Sequence, residues 1–91
     1  MAKIRIPQPL RRLTNDVDIV TIDAATLSDA VDQLEGNFPG IKERICDESG
    51  EIRRFVNIYI NGEDVRFLDN LGTKLAAADE VSIVPAVAGG A

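Results

Sequence analysis

The sequence predicts an α+β domain in which one main helix packs across one face of a mixed β-sheet. Several segments carry apolar side chains at every second position, which is typical of strands. One segment between them repeats its apolar residues at the three- and four-residue spacing of a helix. With 91 residues the chain has room for one small domain and one core.

The first strand is predicted at residues 2–7, where isoleucines alternate with basic residues and give one apolar and one solvated face. Residues 7–15 are polar and turn-prone, and an apolar, β-branched run follows at 17–22, so we predict a hairpin with a long loop. Within that run the apolar residues change side once. This predicts either a β-bulge or a strand covered on both faces.

The main helix is predicted at residues 26–38. Thr26 is followed three residues later by Asp29, as in a capping box. Residues 37–40 end the helix, and 41–45 are predicted to add another helical turn or two. The apolar stripe of the main helix consists of Ala30, Val31, Leu34 and Phe38.

Residues 53–60 give the clearest strand, and Asn61-Gly62 after it predicts a tight hairpin turn leading to residues 64–67. Residues 68–78 are predicted to be a loop with a short helical turn. In the last strand the residues that share one face are Val81, Ile83 and Pro85.

Composition excludes several classes of protein. Fifteen acidic and ten basic residues give a net charge of −5, which disfavours binding to the phosphates of nucleic acid. No apolar run approaches the roughly 20 residues that span a bilayer, and residues 1–15 hold no signal-peptide block, so we expect no membrane association and a cytoplasmic location. The acidic stretch 16–35 would either favour a partner with a basic surface or simply solvate one face.

Few residues could support catalysis or metal binding. The chain has no histidine and a single cysteine, so neither an internal disulfide nor a transition-metal site is expected. Cys46 ends an apolar-periodic stretch and is predicted to be a half-buried structural thiol. The acidic pairs at 47–48 and 63–64 lie in turn-like stretches with nothing apolar to raise a pKa. The chain is therefore not expected to be an enzyme.

The C-terminal segment is the most informative part of the chain. A domain at 1–86 is predicted to continue into a flexible tail at 87–91. Glycine has no Cβ, so such a tail can enter a channel too narrow for side chains and present an unhindered carboxylate. Frayed termini are also commonly glycine-rich, and the dipeptide alone does not decide between the two. The tail residues are Val87, Ala88, Gly89 and Gly90, followed by Ala91.

The residues around the tail favour the functional interpretation. The segment ADEVSIVPAVAGG at 78–90 and the segment RFVNIYINGEDVRF at 54–67 resemble the ThiS/MoaD family of ubiquitin-like sulfur carrier proteins. Within it, the chain is most similar to carriers of the CysO type used in cysteine biosynthesis. The helical segment at 26–45 also lies where that family has its main helix. The resemblance implies a ubiquitin-like β-grasp fold with the last strand central in the sheet, beside the first.

The resemblance also implies a chemistry at Gly90. In that family a ubiquitin-activating-type enzyme adenylates the terminal glycine with ATP and magnesium, and sulfur from a donor then replaces AMP. The thiocarboxylate delivers sulfur to a synthase that binds pyridoxal phosphate in CysO-like systems, and a metallopeptidase restores the Gly-Gly end. These cofactors belong to partners, so this chain is expected to bind none itself.

Ala91 departs from the family pattern, because a residue after Gly90 places the required carboxylate in a peptide bond. We expect a peptidase to remove Ala91; a non-native added residue and natural loss of function are the alternatives. As written, the chain is expected to be inactive as a carrier.

Partner docking is predicted on the sheet face opposite the helix. The alternative for the side chains on that face is packing against residues 7–13. A MoaD-like small subunit of molybdopterin synthase, a ubiquitin-like protein modifier joined to lysines, and a binding module with an inert tail remain alternative functions. The predicted docking residues are Phe55, Tyr59, Val84 and Ala86.

Overall fold

A computed structural model describes residues 1–85 of the chain. Ten short elements follow one another within residues 1–85, and none of the helices among them has the length and apolar character required to cross a membrane. The strands are β1 (Ala2–Arg5), β2 (Ile19–Ile22), β3 (Val56–Ile60), β4 (Glu63–Asp64) and β5 (Glu80–Pro85). The α-helices are α1 (Leu27–Asn37) and α2 (Ile41–Ile45), and short 3-10 helices cover Gln8–Leu13, Val65–Phe67 and Asn70–Gly72.

The strands form one mixed sheet in the order β2-β1-β5-β3-β4. The central strand β5 runs parallel to β1 and antiparallel to β3. The core contains side chains from α1 and α2 together with those of the inward-facing sheet residues. This arrangement confirms the predicted α+β class and the β-grasp order with the last strand beside the first. The four α1 residues buried in this core are Leu27, Ala30, Val31 and Leu34.

The prediction of a bulge or a doubly covered strand at residues 17–22 was wrong. β2 pairs with β1 in continuous register from Ala2↔Ile22 to Arg5↔Ile19. Ile22 faces the core, whereas Ile19 stays exposed. The outer face of the sheet is open at β2, so Ile19 needs no covering layer, and the apparent change of side reflects apolar residues on both faces of a regularly alternating strand.

The strand predicted from residue 53 begins later. Residues 53–56 form a turn in which the Val56 amide donates to the Arg53 carbonyl oxygen at 3.0 Å. The Arg53 amide and side chain in turn donate to the Ile45 and Glu43 carbonyl oxygens, which holds residue 53 against α2 rather than in the sheet. The turn at Asn61-Gly62 is confirmed, with φ of 52° and 86° between the paired residues that flank it.

The predicted helix cap is confirmed, since the Thr26 hydroxyl accepts a hydrogen bond from the Asp29 amide at 3.2 Å. Glu35, near the end of α1, accepts from the amides of Gly40 and Lys42 and so joins α1 to α2. These two amide donors hold the pKa of the Glu35 carboxyl below its usual value. The helix prediction and its continuation at 41–45 both agree with the structure.

Ala78 adopts a left-handed backbone conformation with φ of 71°, which is unfavourable for a residue with a Cβ. The Ala78→Gly variant should therefore unfold at higher urea concentration, with a gain of about 0.5–1 kcal/mol. Ala77→Gly is the matched control, since Ala77 is also exposed but is not among the positive-φ residues. It should lose about 0.5–1 kcal/mol. Equal effects of the two substitutions would contradict the prediction.

Candidate functional site

The central strand β5 places the C-terminal end of the described chain at the edge of the core. Val81 and Ile83 are buried, and Pro85 is the last described residue, paired with Val56 of β3. Five consecutive pairs to β3 and three to β1 hold the strand on both sides. The end of the described chain is therefore held in the middle of the sheet. The predicted site residues that lie outside the described part are Ala86, Val87, Ala88, Gly89, Gly90 and Ala91.

Two of the predicted docking residues lie on the sheet face turned away from α1. Val84 is 45% exposed and sits opposite Asn57 in the β3–β5 register. Tyr59 is half-buried and pairs with Ser82, so Tyr59 and Val84 are diagonal neighbours on the two strands. Together with the polar residues Asn57 and Ser82, they form the outer face of the sheet near the end of β5.

Charged side chains border this area on the β1 side. Arg5 and Glu80 form an ion pair at 3.1 Å, and both side chains are more than half exposed. Such a pair contributes little to stability. It nevertheless places charge beside the apolar residues of the outer face, which is the composition of a surface that contacts proteins.

Phe55 lies apart from the other docking candidates. It belongs to the turn at 53–56 rather than to β3, and it is 45% exposed. With Glu43, Arg44 and Arg53 it lines a surface cavity of about 320 Å³ beside α2. Residues 7–13 are the alternative packing partner predicted for the docking side chains. Most of them form the 3-10 helix Gln8–Leu13, which packs against α2 and has Leu10 as its buried residue. The docking role of all four residues stays a prediction.

Cys46 is more deeply buried than the half-buried thiol we expected, with 3% of its surface exposed. It borders a cavity of about 470 Å³ that is otherwise lined by charged residues, among them Lys42 and Arg53. Burial raises the pKa of the Cys46 thiol, chiefly because the protein interior disfavours the thiolate. A protonated, enclosed thiol is a poor nucleophile, so the structural role predicted for it agrees with the structure.

The acidic pairs serve the turns that contain them. Asp47 accepts hydrogen bonds from the amides of Ser49 and Glu51 at 2.9 and 3.1 Å. Asp64 accepts from the Arg66 amide at 2.8 Å and caps the 3-10 helix that follows β4. Within residues 1–85 no group of three or more potential ligand side chains is placed to hold a metal ion.

Sequence analysis did not single out Arg66, whose guanidinium makes three hydrogen bonds. Nη1 donates to the Asn57 side chain at 2.7 Å, and Nη2 donates to the carbonyl oxygens of Arg53 and Val56 at 3.0 and 2.8 Å. The acceptors lie nine to thirteen residues away in the sequence, so local periodicity carries no trace of them.

Comparison with known proteins covers the C-terminal tail as well as the described residues. Residues 4–90 match the ThiS family. Sulfur carrier protein CysO of Mycobacterium tuberculosis (strain ATCC 25618 / H37Rv) is 47% identical over 89 residues, which cover 96% of each chain.

Two further relatives are informative. A chain in the crystal structure of the Amycolatopsis orientalis BexX/CysO complex matches with a TM-score of 0.92 and 38% identity, over 99% of this chain and 100% of that chain. Small archaeal modifier protein 3 of Haloferax volcanii is 41% identical over 68 residues, which are 75% of this chain and 73% of the relative. The high TM-score confirms the ubiquitin-like β-grasp fold.

Proposed function

The chain belongs to the ThiS family, and on that premise we propose that it is a sulfur carrier of the CysO type, acting in cysteine biosynthesis through a thiocarboxylate at Gly90. The observation that carries the proposal is the similarity to a sulfur carrier protein over nearly the whole of both chains. The family match, which extends through Gly90, agrees with it. The chain itself is a carrier and not an enzyme. Its contribution is a docking surface, a fixed origin for the tail and a carboxylate free of side chains.

The chemistry requires an activating partner, because a carboxylate is a poor electrophile. Its oxygen attacks the α-phosphate of ATP, pyrophosphate leaves, and the acyl adenylate becomes open to attack by a sulfur nucleophile. Sulfur then forms the bond to the Gly90 carbonyl carbon as AMP leaves. ATP and magnesium would be bound by a ubiquitin-activating-type enzyme, and pyridoxal phosphate by a sulfur-accepting synthase. A CysO relative has been crystallised in complex with BexX, which supports a function exercised through protein partners.

Activation also requires cleavage of the bond after Gly90. In the peptide bond to Ala91 the Gly90 carbonyl has no free oxygen to attack ATP. We propose that a peptidase removes Ala91, and the metallopeptidase that the resemblance implies is the candidate for this step. The carrier would then be made as an inactive precursor.

Intact-mass spectrometry of two purified forms tests the function. A form ending at Gly90 and a form retaining Ala91 are each incubated with ATP, magnesium, a sulfide source and the activating enzyme. We expect the form ending at Gly90 to gain the mass difference between sulfur and oxygen, and the longer form to stay unchanged. A reaction without ATP and one with an established carrier are the controls. If the enzyme converts its established carrier but neither form of this chain, the proposed function is wrong.

A second candidate function is supported by the similarity to a small archaeal modifier protein. A modifier would use the same adenylate but transfer Gly90 to a lysine amine instead of to sulfur. The two functions are separated by blotting lysate from cells that express a tagged form ending at Gly90. Thiol-resistant, high-mass adducts with Gly90 on lysine would support the modifier, and their absence would leave the carrier.

A further inference from the structure

We propose that Arg66 is a positioning residue that fixes the end of β5, from which the C-terminal segment continues, and through it the delivery of Gly90 to the activating enzyme. This inference rests on the proposed function. It comes from the hydrogen bonds of Arg66, from the length of β4 and from the place where β5 ends.

β4 is too short to cover β3. Its two residues pair only with Tyr59 and Ile60, so among the described residues the edge of β3 that precedes Tyr59 has no neighbouring strand. An uncovered edge normally exposes backbone groups to water and lets the strand fray. Arg66 lies along this edge, in the 3-10 helix directly after β4.

The Arg66 guanidinium supplies hydrogen-bond donors at the part of β3 that β4 does not reach. Nη2 donates to the carbonyl oxygens of Arg53 and Val56, and the Arg53 oxygen also accepts from the Val56 amide. A single nitrogen thus bonds to the first and the last residue of the turn that leads into β3. Hydrogen bonds from a charged donor are stronger than those from a neutral one, and the planar guanidinium fixes their directions.

The hydrogen bonds of Arg66 lie beside the end of β5. Val56 pairs with Pro85, the last described residue, and Asn57 pairs with Val84. Nη1 of Arg66 holds the Asn57 side chain at 2.7 Å on the same outer face as Val84. Arg66 therefore donates hydrogen bonds to Val56 and Asn57, the two β3 residues that pair with the last two described residues of β5.

The opposite end of the same pair of strands is held independently. The Asn61 side chain donates to Asp79 at 2.9 Å and accepts from the Glu80 amide at 3.0 Å, next to the pair Ile60↔Val81. Loss of Arg66 should therefore loosen only the end of the ladder from which the C-terminal segment starts. Transfer at Gly90 depends on how often the carboxylate reaches the enzyme in the correct geometry, and small misplacement of a reacting group is costly.

The test uses the form ending at Gly90, with the activating enzyme, ATP and sulfide, and measures kcat and KM for thiocarboxylate formation. We expect Arg66→Ala to lower kcat by about tenfold or more with little change in KM. Arg66→Lys should be nearly as defective, since a single ammonium nitrogen cannot reproduce the two donor nitrogens that the planar guanidinium holds in fixed directions. Arg54→Ala is the matched control, because it removes the same charge from an exposed residue within the turn itself.

Amide hydrogen exchange gives a readout without the enzyme. Exchange should accelerate in Arg66→Ala at Val56, Asn57 and Val84, and stay as in wild type at Ile60 and Val81, near the end held by Asn61. Asn57→Ala, which keeps both carbonyl contacts, provides a milder variant should Arg66→Ala fold poorly. It should show a smaller loss of kcat and faster exchange at Val84.

The outcomes are separable. Wild-type kcat in folded Arg66→Ala, or full recovery in Arg66→Lys, would overturn the positioning role while the carrier function stands. If Arg66→Ala is unfolded and Asn57→Ala has wild-type kcat and exchange, the inference also fails. If the wild-type form is not converted at all, the proposed function fails and this inference fails with it.

Discussion

Replacing Ile83 with Asp is expected to unfold the domain. Ile83 is 4% exposed and lies in the central strand β5, where its side chain contributes to the core. The substitution removes an apolar side chain worth about 1.5–3 kcal/mol of burial, and it places a carboxylate among the apolar side chains of the core. The sum approaches or exceeds the roughly 5–10 kcal/mol by which a domain of this size is stable. Circular dichroism should show loss of the cooperative urea transition at neutral pH.

The adjacent residue provides the control. Val84 is 45% exposed on the opposite face of the same strand, so Val84→Asp leaves the new carboxylate hydrated. Its cost should stay within about 1 kcal/mol, a typical value for an exposed substitution. A cooperative transition in Ile83→Asp at nearly the urea concentration found for Val84→Asp would mean that Ile83 is not part of the core.

Regular alternation made much of this fold predictable. The inward residues of β3 and β5 follow strict period two, and the α1 stripe follows helical spacing, because each element buries one face against the same core. The turn at Asn61-Gly62 was equally predictable, since asparagine and glycine tolerate the positive φ that a two-residue hairpin requires. These features depend on neighbours within a few residues.

Features set by distant contacts were not predictable in the same way. The residues before β3 have strand-like composition, yet hydrogen bonds from Arg53 to α2 turn the chain away from the sheet. Arg66 has no local signature, because its acceptors come from an earlier part of the chain. The same contacts separate Phe55 from Tyr59 and Val84, which sequence analysis had placed on one face. The predicted docking surface therefore divides into an outer sheet part and a part beside α2.

The outer sheet part is open to a direct test, since Val84→Asp should weaken docking without unfolding the carrier. An aspartate at this position would have to be desolvated on contact with a partner, and loss of a hot-spot residue at the centre of an interface costs about 2–4 kcal/mol. With the form ending at Gly90 we therefore expect KM for the activating enzyme to rise about 30-fold or more, while kcat at saturation stays near the wild-type value.

Val17→Asp separates a local contact from the general effect of added negative charge. Val17 has nearly the same exposure, 38%, but precedes β2, which lies beyond β1 from the central strand. The two variants carry the same net charge, so a repulsion of the whole molecule would raise KM equally in both, and more strongly at low salt. A rise confined to Val84→Asp would place the enzyme on the β3–β5 face. It would also distinguish docking from the role of Arg66, because failed docking raises KM whereas a misdirected tail lowers kcat. Equal KM values for Val84→Asp and wild type would exclude Val84 from the contact.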